Sequence, residues 1–353
     1  MAKKSVRKKI ALIFCGGTIA MAKNEKTGAL QPTLNPEQLY ALVPKIREHA
    51  DIRVEYVTNK DSIDLDTDDW KSACNAIQKN MHHVDAFVIT HGTDSMVQTA
   101  CAISFAFGNS LCKPVIMTGS MASPQELGTD AASNIERAIK VALSTARPEV
   151  MISFNDTVLC GTRTRKTSEK LGAYHSPALP PLAEHYGDQI RWHPASSVRT
   201  GRDEYLPHFS DNVLTLVLEP AMNAAHLDAC LNADPKTAGV VLISLGAGYI
   251  PRTCHAAIRH AVKNDVPVVV TSAFPGAQLN MRAYQHGFEA LDLGVIPAGD
   301  MTPEAASTKL KWALGVAQAN KEPRKKGQLT AFVRDLFSEV RAGEMTPLPK
   351  GTR

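Results

Sequence analysis

The chain has 353 residues, 44% of them hydrophobic and 21% charged, and its 39 Lys and Arg against 35 Asp and Glu leave a formal net charge of +4. Single cores stop growing at roughly 250–300 residues, so a chain of this length is expected to form two domains. No apolar run reaches membrane length and no internal repeat or low-complexity tract is visible, which excludes a membrane-spanning or solenoid protein.

The first nine residues include Lys3, Lys4, Arg7, Lys8 and Lys9. A basic run of this kind can be a nucleic-acid arm or the start of a signal peptide. A solvated tail is expected here, because the apolar run from Ile10 is short and passes straight into GGTIAM. The reading is therefore cytoplasmic, with no nucleic-acid partner and no membrane contact. Strands are expected at Ile10–Cys15, Ile52–Val57, Ala86–Thr90, Val115–Gly119 and Val150–Phe154, alternating with segments of helical period. One such helix starts near Thr67, capped by Asp66 or Thr67, with Trp70, Ala73, Cys74 and Ile77 on its core face. Another covers Thr129–Ala146 and packs through Ile135, Ala138, Ile139 and Ala142. The alternation predicts an α/β fold with a doubly wound, mainly parallel sheet.

The pattern breaks at SSVRTGRDEYLPHFSD, a polar stretch that reads as a linker. This divides the chain into a catalytic domain over 1–195, a linker over 196–212 and a smaller α/β domain over 213–353. In the second domain strands are expected at Val213–Leu218, Gly239–Leu245 and Val266–Thr271, and helices at Ala221–Asn232, Thr253–Lys263 and Pro303–Gln318.

Two strand ends carry the chemistry. The run AFVITHGTDSM puts Thr93 and Asp94 at the carboxyl end of a buried strand, and KIALIFC runs into GGTIAM so that Thr18 follows Gly16 and Gly17. Ligands of open α/β sheets bind at this edge, where loops meet helix N-termini. Seven cysteines (Cys15, Cys74, Cys101, Cys112, Cys160, Cys230 and Cys254) form no C-x-x-C pair and read as reduced thiols. Cys15 precedes the double glycine, and like the others it reads as a buried thiol. The adjacent His82 and His83 point to different sides of the chain and read as solvated loop residues rather than ligands. No metal site and no cofactor are expected.

The segments GGTIAM at Gly16–Met21, DSIDL at Asp61–Leu65, ITHGTDSM at Ile89–Met96, PVIMTGSM at Pro114–Met121, TRTRK at Thr162–Lys166 and GVIPAGDMTPEA at Gly294–Ala305 occur in this order. Together they resemble the asparaginase/glutaminase family of amidohydrolases, in particular its cytoplasmic type I branch. The resemblance implies that Thr18 attacks the substrate amide to form an acyl-enzyme. It also implies that Thr93, Asp94 and Lys166 act as a second cluster, and that Asp61 and Ser62 lie in a loop gripping the α-carboxylate. Ser120 would offer a backbone carbonyl to the amide nitrogen, and Asp94 would hold the α-ammonium. On residue type alone Thr18 is a helix cap, Asp61–Ser62 a polar turn and Lys166 part of a surface run with Arg163 and Arg165. Whether burial lowers the Lys166 pKa or Asp94 keeps it charged is left open by the sequence.

The implied activity is hydrolysis of L-asparagine to aspartate and ammonia, with asparagine preferred over glutamine, by a homodimer or homotetramer. Two positions depart from the family pattern. Ala29 stands where many members carry a loop tyrosine that bonds the first threonine, and Ile63 replaces a polar residue, which would make one pocket wall more apolar. Two other readings stand beside this one. An amidase module of a tRNA-dependent amidotransferase, as in the archaeal glutamyl-tRNA enzyme, would carry an extra N-terminal domain for which a first strand at Ile10 leaves no room. A catalytically silent amino-acid-binding protein would release no ammonia. Neither G-x-G-x-x-G nor a P-loop is present to support a nucleotide-binding protein.

Overall fold

The computed structural model describes residues 7–24, 26–33, 35–44, 46–194, 203–231, 236–320 and 327–347. The chain separates into two compact units, one of residues 1–104 and 110–196, the other of residues 105–109 and 197–353. The expected linker lies outside the described residues from 196 to 202.

The first unit contains β1 (Lys8–Cys15), β2 (Met21–Lys23), β3 (Leu30–Pro32), α1 (Pro36–Ala41), α2 (Ile46–His49), β4 (Ala50–Tyr56), α3 (Thr67–Asn80), β5 (Ala86–His91), α4 (Met96–Phe107, of which the part from Phe105 on belongs to the second unit), β6 (Val115–Thr118), α5 (Ala131–Ser144), β7 (Val150–Phe154), β8 (Thr157–Cys160), β9 (Arg165–Lys166), β10 (Tyr174–His175), β11 (Ala183–Tyr186) and β12 (Gln189–Trp192). An eight-stranded sheet runs in the order β12-β11-β8-β7-β6-β5-β1-β4. Strands β4, β1, β5, β6 and β7 pair in parallel, and β8, β11 and β12 join antiparallel. Strand β5 is buried along its whole length, as both faces of a covered parallel sheet require. The sheet turns in both directions from β1, so the carboxyl ends of β4, β1, β5 and β6 lie side by side at the switch in strand order.

The expected strands are all present, with ends displaced by a residue or two. Strand β1 begins at Lys8, not Ile10, because the backbones of Lys8 and Lys9 pair with Ala50 and Asp51 while their side chains stay exposed. These two lysines are therefore sheet rather than tail. Helix α3 is capped by Asp66, whose carboxylate accepts from the Asp68 and Asp69 backbone N–H, and Asp69 returns the bond to the Asp66 N–H. Trp70, Ala73, Cys74 and Ile77 are buried. Asp66→Ala is expected to cost about 1 kcal/mol of stability, read from denaturant unfolding. An unchanged midpoint would show that the cap contributes nothing.

The second unit contains β13 (Val213–Val217), α6 (Ala224–Leu231), β14 (Gly239–Ser244), α7 (His255–Lys263), β15 (Val268–Ser272), α8 (Gln285–Asp292), β16 (Ile296–Pro297), α9 (Pro303–Ala319) and α10 (Gln328–Ser338). Its four strands form a parallel sheet in sequence order. Helix α6 is shorter than the expected Ala221–Asn232, and Asn232 lies outside the described residues. Inside this unit Lys309 and Glu344 form an ion pair at 2.5 Å, both side chains fully buried. Backbone N–H groups of Arg341 and Ala342 also donate to Glu344, and Lys309 donates to the Glu339 carbonyl. Burial pushes Glu344 up, but the Lys309 ammonium and the backbone donors outweigh it and hold the carboxyl low. Glu344→Gln keeps the shape yet leaves a buried ammonium unpaired, so a loss of about 3–5 kcal/mol is expected in chemical denaturation. A transition unmoved by the substitution would count against a charged pair. No described helix is long and apolar enough to cross a membrane.

Candidate active site

The site is assembled by close backbone approach. Gly17 has φ 84°, and a Cβ added there would lie 2.1 Å from the Gly92 backbone. A Cβ on Gly92 would lie 2.5 Å from the Ser62 side chain. Glycine is therefore required at both positions, by conformation at the first and by space at each. These contacts set Thr18 beside the loop that carries Thr93 and Asp94, and set Ser62 against the same loop.

Thr18 opens a short 3₁₀ turn, Thr18–Ala20, and is half-buried. Its hydroxyl has no hydrogen-bond partner among the described residues. The Gly17 N–H already donates to the Lys60 carbonyl at 3.3 Å. Asp61 caps the turn Ser62–Asp64 by accepting from the Ile63 N–H, so its carboxylate shapes the loop that presents the buried Ser62. The Ser95 hydroxyl donates to the Ser62 carbonyl at 2.5 Å and ties this loop to the β5–α4 turn. Ile63, next to Ser62 in this turn, is 74% exposed.

Lys166 is not a member of a solvated basic face, since its side chain is only 12% exposed and Arg163 is buried. Its Nζ donates to Thr93 Oγ1 at 3.1 Å, to Asp94 Oδ1 at 2.6 Å and to Glu169, whose nearer oxygen is at 2.9 Å. Three acceptors around a nitrogen with three protons describe an ammonium with no lone pair to offer. Burial alone would push Lys166 down, but hydrogen bonding and charge from Asp94 and Glu169 raise it above its ordinary value. The question left open by the sequence is thus answered in favour of the charged form. Asp94 stays largely exposed.

Two residues in this cluster were missed by sequence reasoning, Glu169 and Tyr174. Tyr174 faces Lys166 across the β9–β10 pair, and its phenol donates to the Thr93 carbonyl at 2.5 Å. Its ring meets Phe154 edge-on at 4.9 Å. Burial, with Asp94 and Glu169, keeps the phenol protonated. Ala29, by contrast, is an exposed residue of the β2–β3 hairpin, whose turn is closed by Asn24 Oδ1 accepting from the Lys26 and Thr27 N–H groups.

Ser120 is fully buried, and its hydroxyl has no partner among the described residues. Its loop is fixed by Asp130, which accepts from the Met121 and Ala122 N–H groups, and by Asn134, which donates to the Gly119 carbonyl. Gly119 abuts the same centre, since an added Cβ would lie 2.4 Å from the His91 carbonyl. Burial pushes His91 down to about 4, so its imidazole is neutral at ordinary pH. Its Nδ1 lies 2.8 Å from the Gly92 carbonyl and therefore carries the proton. Burial pushes Cys15 up to about 12, which removes it as a thiolate nucleophile at neutral pH. His82 and His83 are exposed. No group of three or more His, Cys, Asp or Glu among the described residues could hold a metal ion.

The family model described as Asparaginase, N-terminal matches residues 9–197, and that of the Glutaminase/Asparaginase C-terminal domain matches residues 212–326. The chain belongs to the asparaginase family. An L-asparaginase of Thermococcus kodakarensis is 34% identical over 322 residues, covering 90% of this chain and 96% of its own length. The solved structure of the thermostable L-asparaginase from that organism superposes with a TM-score of 0.85 at 32% identity, over 96% of this chain and all of its own. The family also includes amidotransferase components. One component of the glutamyl-tRNA(Gln) amidotransferase of the same organism is 32% identical over 349 residues, covering 96% of this chain and 76% of that component.

Proposed function

We propose that this protein hydrolyses L-asparagine to L-aspartate and ammonia through an acyl-enzyme on Thr18. The observation that supports the reading is the Gly17–Gly92 backbone contact, which brings the turn opened by Thr18, whose hydroxyl has no hydrogen-bond partner among the described residues, to the loop of Thr93 and Asp94, where Lys166 is bonded. Thr18 Oγ1 attacks the side-chain amide carbon, and backbone N–H groups of the Gly16–Thr18 turn other than that of Gly17, which is bonded to the Lys60 carbonyl, stabilise the oxyanion. The proton lost by the Thr18 hydroxyl passes to the amide nitrogen, which leaves as ammonia as the C–N bond breaks, and water then cleaves the Thr18 ester, returning a proton to Thr18 Oγ1 and releasing aspartate. Lys166 holds Thr93 oriented and supplies positive charge. Asp94 receives the α-ammonium, while Ser62 and its loop receive the α-carboxylate.

Purified protein should release ammonia from L-asparagine without a partner protein or ATP. Failure to do so, with release restored only by a tRNA-amidating partner, would favour the amidotransferase reading that the likeness to the glutamyl-tRNA(Gln) enzyme supports. Binding of aspartate without any turnover would favour a silent binding protein. The catalytic efficiency with asparagine should exceed that with glutamine by about 10–200-fold, the worth of one methylene in a fitted pocket. Equal efficiencies would overturn this preference. A cytoplasmic homodimer or homotetramer belongs to the same proposal.

A further inference from the structure

The hairpin that delivers Lys166 also delivers a second carboxylate. Strands β9 and β10 pair Lys166 with Tyr174, and the Thr167 N–H donates to the Ala173 carbonyl, closing the hairpin. Between them Glu169, three residues beyond Lys166, folds back so that both its carboxylate oxygens lie near the ammonium, at 2.9 and 3.1 Å. Its side chain is 79% exposed, so nothing in the packing compels this position. The attraction of Lys166 does.

The charge count explains what this second carboxylate adds. Lys166 and Asp94 alone, at 2.6 Å, make a neutral pair. An incoming α-ammonium would meet a carboxylate already paired, with a like charge immediately behind it. With Glu169 in place the three side chains sum to one net negative charge. Binding one ammonium then completes the neutralisation, with Glu169 holding Lys166 while Asp94 turns partly to the ligand.

We propose that Glu169 is a specificity-determining residue, a counter-ion to Lys166 that frees Asp94 to select amides bearing an unblocked α-ammonium. The inference rests on the asparagine reading of the site. Glu169 touches Lys166 rather than the reacting atoms, so it acts by electrostatic positioning. Its exposure makes the effect sensitive to salt, because charges in water are screened over about 3 Å at 1 M ionic strength.

The test compares wild type, Glu169→Gln and Glu169→Asp on L-asparagine and on succinamate, which has the same amide and carboxylate but hydrogen in place of the ammonium. Glu169→Gln should raise KM for asparagine about tenfold, equivalent to about 1.4 kcal/mol, with kcat little changed. Succinamate efficiency should stay level or rise, and Glu169→Asp should recover part of the asparagine KM. The asparagine penalty should shrink at 1 M NaCl. Equal losses on both substrates, or an asparagine KM unmoved by Glu169→Gln, would overturn the proposal. Calorimetric binding of L-aspartate and succinate to the same proteins reads the ammonium preference without turnover. If wild type binds aspartate but releases no ammonia, hydrolysis fails as the function. The Glu169 proposal then stands or falls on whether Glu169→Gln weakens aspartate binding and spares succinate.

Discussion

Thr18→Ala is expected to lower kcat by about 10⁴-fold or more, while the affinity for L-aspartate changes little. The hydroxyl has no hydrogen-bond partner among the described residues and is half-buried, so removing it strands no polar group and opens no core cavity. Stability should stay within about 0.5 kcal/mol of wild type, which makes the loss of rate a statement about bond making. Thr18→Ser retains a hydroxyl on the same backbone and should recover part of the rate. Single-turnover ammonia release and aspartate calorimetry together check these expectations. If Thr18→Ala keeps kcat within tenfold and Thr93→Ala is inactive, the attacking oxygen belongs to Thr93.

On the proposed function Lys166→Met is expected to lower kcat by about 10²–10³-fold, the worth of one preorganised charged donor near a reacting centre. It removes the shared donor of Thr93, Asp94 and Glu169, and leaves the two carboxylates to repel. Thr93→Ala disables the same unit, so the double variant should be scarcely slower than the worse single one. Full multiplication of the two losses would show that they act separately. The pH dependence follows from the raised Lys166 pKa. A lysine raised on folding keeps its ionised contribution below its ordinary value, near 10.4, and loses it only as pH climbs through the higher folded value. No lysine limb is therefore expected between pH 7 and 10. An inflection near pH 8 in kcat/KM that tracks Lys166 would show that it works as the neutral amine.

The strand ends were legible because burial of a parallel sheet writes itself as continuous apolar runs, and GTD and GGT stand directly after two of them. Helix α3 was equally plain, since Asp66 precedes an amphipathic stripe of Trp70, Ala73, Cys74 and Ile77. The convergence of Lys166 on Thr93, 73 positions earlier, could enter only through the family resemblance, because strand order and not spacing creates it. Glu169 and Tyr174 left no such trace. Tyr174 lies in a strand of two residues, too short for an alternating pattern, Glu169 lies in the connection before it, and the bonds they make run to a carbonyl and a side chain that sequence does not place. Residues 105–109 were equally invisible as part of the second unit, because they continue the apolar run of α4. The Phe105 carbonyl accepts from Arg341 Nε, a bond spanning 236 positions.

The backbone contact of Gly17 with Gly92 also divides the site by its tolerance to change. A methyl group at Gly17 would force its backbone away from that of Gly92, and one at Gly92 would drive into the Ser62 side chain, so neither glycine can be exchanged in small steps. Ala29, Ile63 and Glu169 all face solvent and can be exchanged without disturbing that contact. Laboratory evolution should therefore tolerate substitutions at these three exposed positions far better than at either glycine. The Gly17–Gly92 contact would be inherited intact by every descendant.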